Sequence, residues 1–234
     1  DRPVEVAEPG KLRNRLREML PEFSKATDHY RRFGTIYIID VLSEERACPA
    51  KNFQDTCPGP ILERLGTEAM RRYLVSSIAC PGCPIACGKI LEARTEPYRG
   101  VRAKLDYEVV WALGPLCGVF DYSPIIAAAH LADEYGMDGI STGYAIAFAM
   151  ELYEKGLLTD TDTDGLNLRF GEHESMIEMI RKICRREGLG DVLAEGALRA
   201  AYKIGRGVEK YAVHVKGLSL TAVSYTHLTL PTKA

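Results

Sequence analysis

The stretch Ile78 to Lys89, IACPGCPIACGK, constrains this chain more than any other. Cys80, Cys83 and Cys87 stand at gaps of two and three residues, so a single loop can offer three soft thiolates to one metal centre. Gly82, Ala86 and Gly88 are small enough to let the backbone approach such a centre, where amide N–H groups can donate to its sulfurs. Any fold of this chain must therefore present that loop with open space in front of it. Three thiolates are also one short of the common all-cysteine sites, which leaves a fourth ligand to be found.

The order of the gaps decides among the candidate centres. Radical-SAM enzymes use Cys-x3-Cys-x2-Cys, the reverse of what stands here. A structural zinc knuckle wants a histidine or a second cysteine pair close by, and none follows. An iron–sulfur cluster is the expectation, with a zinc-stabilised helical scaffold as the non-enzymatic alternative. Cys48, Cys57, Cys117 and Cys184 could each supply a fourth ligand, but each is more readily read as a buried thiol. Seven cysteines in 234 residues do not suggest a disulfide framework, and a tight triad points to a reducing, cytoplasmic setting. Basic and acidic residues, 30 and 32, are interspersed, so no charge footprint suggests nucleic acid or an anionic membrane. No apolar run is long enough to span a bilayer. Self-association into a homo-oligomer is left open.

Along the chain the signals are mainly helical. Leu12, Leu16, Met19, Leu20 and Phe23 share one face of a helix that Pro21 should limit. Thr35 to Ile39 reads as a short β-branched strand, followed by an irregular loop rich in proline and cysteine. Thr67 is expected to cap a helix that carries the chain to Cys80. After the cysteines, residues 94–108 read as a loop or short hairpin. Ser123 before Pro124 reads as an N-cap for a helix ending at Gly136, and Ser141 as the cap of another ending at Gly156. Residues 161–174 read as a polar surface loop, with two further helices at Glu174–Arg186 and Asp191–Ile204. The expected fold class is all-α, multihelical, with at most short irregular strands. A helical unit over 1–160 would carry the cysteines, and 161–221 would begin a further helical region.

The last residues fit nothing before them. Val223 to Thr232 can be spelled GTC TCT TAT ACA CAT CTG ACG CTG CCG ACG, which resembles the adapter of transposon-based sequencing libraries. Residues 222–234 are accordingly expected to be adapter-derived rather than native.

Downstream of the cysteines lies DEYGMDGISTG. Asp133 and Glu134 fall in the last turn of a helix, where negative charge opposes the macrodipole. Carboxylates can clamp an amine-bearing heterocycle through paired hydrogen bonds, although two exposed acids at a helix end are the plainer reading. Together, Cys80-x2-Cys83-x3-Cys87 and Asp133-x-x-Gly136-Met137-Asp138 resemble the tungsten-dependent aldehyde:ferredoxin oxidoreductase family. CPAKNFQ, DYEVVWALGP, ISTGYAIAFAMELYEKG, GLGDVLAEGA and YAVHVKGL are similar to that family too, and the likeness runs from about Arg2 to Leu220.

The resemblance implies helical domains beside a tungsten, or sometimes molybdenum, bis-pterin with a nearby [4Fe-4S] cluster. It implies that Cys80, Cys83 and Cys87 bind iron and that Asp133, Gly136, Met137 and Asp138 bind the pterin cofactor. Glu108 matches the family's glutamate near the metal, where it would orient or deprotonate a water or hydrated aldehyde. The fourth cysteine and the catalytic histidine would lie in sequence beyond Leu220. The implied reaction is oxidation of a small aldehyde to a carboxylic acid with ferredoxin as electron acceptor. A tungsten benzoyl-CoA reductase catalytic subunit is the alternative that resembles the same family. Sequencing the source DNA across codon 221 checks the tail: the expected result is a native continuation, and genomic codons for VSYTHLTLPT would overturn the adapter reading.

Overall fold

A computed structural model describes residues 5–56 and 60–223. Helices α1 (Pro9–Ala26), α2 (Asp28–Phe33) and α3 (Tyr37–Glu44) are followed by a minimal hairpin, β1 (Pro49–Ala50) and β2 (Asp55–Thr56). Short helices α4 (Ile61–Leu65) and α5 (Thr67–Arg71) lead into β3 (Leu74–Ile78), β4 (Gly88–Glu92) and β5 (Arg102–Leu105), a three-stranded antiparallel sheet in that order. Then come α6 (Tyr107–Leu113), α7 (Tyr122–Glu134), α8 (Gly139–Glu154), α9 (His173–Arg185), α10 (Leu189–Leu193) and α11 (Ala197–Ile204), and a last two-residue hairpin, β6 (His214–Val215) with β7 (Leu218–Ser219). The multihelical class with only short strands agrees with the sequence. No single helix among the described residues is long and apolar enough to cross a membrane.

The core is built around α8. Every residue from Thr142 to Leu152 is buried, which is what a helix apolar on all sides requires. Helix α6 lies against it at close range, because Gly143 has no side chain: a Cβ there would sit 2.4 Å from the Ala112 carbonyl oxygen. Fully buried Trp111 donates from its indole nitrogen to the Pro49 carbonyl at 2.7 Å, tying the β1–β2 hairpin to α6. Tyr122 does the same for the α4–α5 junction, its hydroxyl donating to the Leu65 carbonyl at 2.7 Å. Buried Cys117 donates to the Ala112 and Gly143 carbonyls, and Cys48 is buried as well. Cys184 is only half-buried, and Cys57 lies outside the described residues.

Several boundaries differ from expectation. Helix α1 runs through Pro21, which removes one backbone donor without ending the helix, and its apolar face stays exposed. Thr35 to Ile39 is a 3₁₀ turn running into α3, not a strand; its Thr35 hydroxyl accepts from the Tyr107 N–H at the start of α6. The opposite occurs after α5. That helix stops at Arg71, and LVSSI becomes β3 because β4 supplies a ladder, with Ile78 facing Gly88. Thr67 does not cap α5 by itself. Asp40 of α3 accepts both its N–H at 2.9 Å and its hydroxyl at 2.5 Å.

Helix α7 is capped by Asp121, which accepts from Ser123 N–H; the buried Ser123 hydroxyl instead accepts from the amides of Arg94 and Thr95. Gly196 splits the last expected helix into α10 and α11. The polar loop after α8 is stapled rather than merely solvated. Asp162 accepts from Thr159 and pairs with Arg206, whose guanidinium holds its carboxyl down to about 2. Replacing Gly143 with Ala is expected to cost about 1–3 kcal/mol through overpacking of α6 against α8, read as a lower urea midpoint at unchanged slope.

Candidate cofactor site

The cysteine loop spans residues 79–87 and is closed at its base by the Ile78 and Gly88 pair of the β3–β4 ladder. Inside it, Cys83 N–H donates to the Cys80 carbonyl at 3.0 Å, while Gly82 and Ala86 are left-handed at φ 75° and 54°. Cys80 is exposed, Cys83 and Cys87 are half-buried, and all three are free thiols. Among the described residues no three His, Cys, Asp or Glu side chains converge in ligating geometry. The sulfurs share a loop without forming a coordination set. The chemistry of the donors still fits a soft-metal group: three unpaired thiols on one short loop, with Cys80 and Cys87 on the wall of a cleft of about 610 Å3.

Two residues outside the cysteine motif hold the loop's end. Lys89 is fully buried, and its ammonium donates to the Arg31 carbonyl at 2.6 Å, the Ser77 hydroxyl at 2.7 Å and the Ala86 carbonyl at 3.2 Å. Burial lowers its pKa, the Cys87 thiolate opposes that, and Arg31 adds to it. Gly34, at φ 63°, comes so near that a Cβ would lie 2.5 Å from the Cys87 carbonyl oxygen. Neither residue was singled out from the sequence. The alternation in β4 carries a signal for Lys89, since it shares a strand face with buried Leu91.

Glu108 occupies the first turn of α6, behind the Asp106 cap that accepts from Val109 N–H. It lines the same cleft as Cys80 and Cys87, together with apolar Ile38, Ile78, Tyr107 and Ile140. Its half-buried carboxylate accepts from Ala222 N–H and Val223 N–H, each at 3.1 Å. Burial raises its pKa, and those two backbone bonds oppose the rise. Both donors belong to the stretch expected to be adapter-derived; the remainder of that stretch, from residue 224, lies outside the described residues.

The acidic glycine motif forms the turn from α7 to α8. Gly136 is left-handed at φ 67°, and the amides of Gly136 and Met137 close back on the carbonyls of Asp133 and Ala132. Asp138 is the N-cap of α8: its carboxylate accepts from Ser141 N–H at 2.9 Å and Ile140 N–H at 3.4 Å. Ser141, expected as the cap, is a donor to it. Met137 and Asp138 line a second cleft of about 380 Å3 with Tyr135, Cys184 and Arg186, whereas Asp133 is exposed and lines neither. Ile140 borders the first cleft, and a Cβ at Gly139 would stand 3.5 Å from Val109, the neighbour of Glu108. The motif thus sits between the two clefts, and the structure brings Cys80, Cys87 and Glu108 together but not Asp133.

Comparison with known proteins places the chain in a family. Residues 11–229 match the family model described as aldehyde ferredoxin oxidoreductase, domains 2 and 3. A tungsten-containing aldehyde ferredoxin oxidoreductase of Pyrococcus horikoshii is 40% identical over 94% of the chain and 36% of its own length. A Pyrococcus furiosus protein named aliphatic sulfonate oxidoreductase, WOR-like subunit, is 35% identical over 93% of the chain and 36% of its length. The chain therefore spans roughly a third of the curated relatives it matches. Among solved structures, the active site complex BamBC of benzoyl coenzyme A reductase, in complex with 1,5-dienoyl-CoA, superposes with a TM-score of 0.64 at 27% identity, covering 76% of this chain and 27% of that one.

Replacing Asp138 with Ala is expected to cost about 1 kcal/mol by loss of the α8 cap, whereas Asp133→Ala should leave stability within about 0.5 kcal/mol, as for other exposed positions. Paired urea titrations distinguish the two.

Proposed function

The chain belongs to the aldehyde ferredoxin oxidoreductase family, and from that premise we propose that it forms part of a longer tungsten enzyme that oxidises an aldehyde to a carboxylic acid. Electrons would leave through a [4Fe-4S] cluster to ferredoxin, in the cytoplasm. The observation that carries this reading is the shared cleft, where a loop of free thiols and a half-buried carboxylate face one space. Cys80, Cys83 and Cys87 would hold iron, with the fourth ligand outside these residues. When bound, a tungsten or molybdenum bis-pterin would supply the two-electron chemistry and the cluster a one-electron relay.

The chain's own residues do the rest. Glu108, with its pKa raised by burial, is suited to take a proton from a hydrated aldehyde or a water at its carboxylate. Ile38, Ile78 and Ile140 give the cleft an apolar wall beside that carboxylate. Met137 and Asp138, and the turn at Gly136, would lie against the pterin; Asp133 would join them from the end of α7. Asp138 keeps a double role, since the same carboxylate already fixes the start of α8.

A second reading rests on the structural likeness to benzoyl coenzyme A reductase: the same cleft would serve reduction of an aromatic thioester. The two separate by substrate. In the full-length protein, purified without oxygen, aldehyde-dependent dye reduction is expected, with tungsten or molybdenum and about four irons per chain by elemental analysis. Dye-coupled turnover of an aryl-CoA but no aldehyde would select the second reading, and zinc in place of iron would overturn both. Glu108→Gln is expected to lower kcat by about 10²–10⁴ while iron content stays the same.

A further inference from the structure

Lys89 is the one fully buried charged side chain near the cysteine loop among the described residues. A buried ammonium is costly unless its protons are all satisfied. Here three acceptors on three segments surround it: Arg31 on α2, Ser77 on β3 and Ala86 within the loop. The Ala86 contact matters most, because its carbonyl belongs to the peptide that leads into Cys87. In a trans peptide the C=O and the N–H point in opposite directions. Drawing the Ala86 oxygen toward Lys89 therefore turns the Cys87 N–H away from the ammonium. Ala86 is itself held left-handed at φ 54°, a conformation a non-glycine residue keeps only when its surroundings enforce it. Gly34 packs on the Cys87 carbonyl beside the Lys89 stem, so the peptides before and after Cys87 are both held.

We propose that Lys89 is a positioning residue for the iron–sulfur cluster, fixing the Ala86–Cys87 peptide and placing a buried positive charge at the Cys87 end of the thiolate loop, so that the cluster's reduction potential is held up. The inference rests on the iron–sulfur reading above. Reduction adds one electron to the cluster without making or breaking a bond, and a nearby fixed cation favours the more negative state. An amide N–H aimed toward cluster sulfur acts in the same direction.

The test is a redox titration of the full-length enzyme with dithionite, following the reduced-cluster paramagnetic signal and measuring iron and sulfide. Two variants separate charge from anchoring. Lys89→Gln removes the charge while keeping two donors. Ser77→Asp, at a position where the residue is exposed, sets a carboxylate against the ammonium and cancels its field with the Ala86 bond left in place. Both are expected to retain wild-type iron and to titrate at a more negative potential. Either variant holding full iron at the wild-type potential would overturn the proposal, and if Lys89→Gln does not fold, Ser77→Asp decides alone. A wild-type enzyme without iron and sulfide would instead refute the iron–sulfur reading, independently of either variant.

Discussion

The close approach of α6 to α8 is the contact on which the rest of the site depends. It exists because Gly143 lets the Ala112 carbonyl sit where a side chain would otherwise be, and one turn earlier Gly139 faces the Val109 side chain at ordinary contact distance. Since the earlier residue of one helix meets the earlier residue of the other, the two helices run parallel and begin at the same end. That end carries Glu108 on one helix and the Asp138 turn on the other. A side chain inserted between them would separate the carboxylate from the acidic glycine motif, although neither residue takes part in the contact.

The cysteine loop depends on a different kind of restraint. Strand β3 is largely exposed, so little hydrophobic burial holds that edge of the sheet. What fixes the loop is polar: a buried ammonium bonded to three segments, a glycine packed on a carbonyl, and the ladder at Ile78 and Gly88. Such a base can hold the loop's ends while leaving the thiols accessible. The cost is a buried charge that tolerates no loss of partners.

Much of this was legible in the residues. Helices α7 and α8 announce themselves through glycine stops and apolar content and α9 through its amphipathic spacing, and the cysteine spacing with the Asp-x-x-Gly-Met-Asp turn identified the family. Caps were less legible, because the eligible side chains were crowded. Asp138 and Ser141 both stood near the start of α8, and the carboxylate won by reaching two amides at once. At α7 Asp121 likewise took the cap over Ser123, accepting from the Ser123 N–H.

The sequence by itself determined which chemistry is present: soft thiolates on one loop, carboxylates around a glycine turn, and a helix apolar along most of its length. Those are properties of residue type and spacing, which no fold can alter. Tertiary structure decided what long-range partners decide. LVSSI became a strand because β4 lay within bonding reach, and Thr35 to Ile39 became a turn and helix whose Thr35 hydroxyl receives the Tyr107 N–H. Lys89 became a buried anchor, and Glu108 came to share a cleft with Cys80 and Cys87. Backbone pairing and the burial of a charge depend on groups far away in sequence, so they become readable only once those groups are in place.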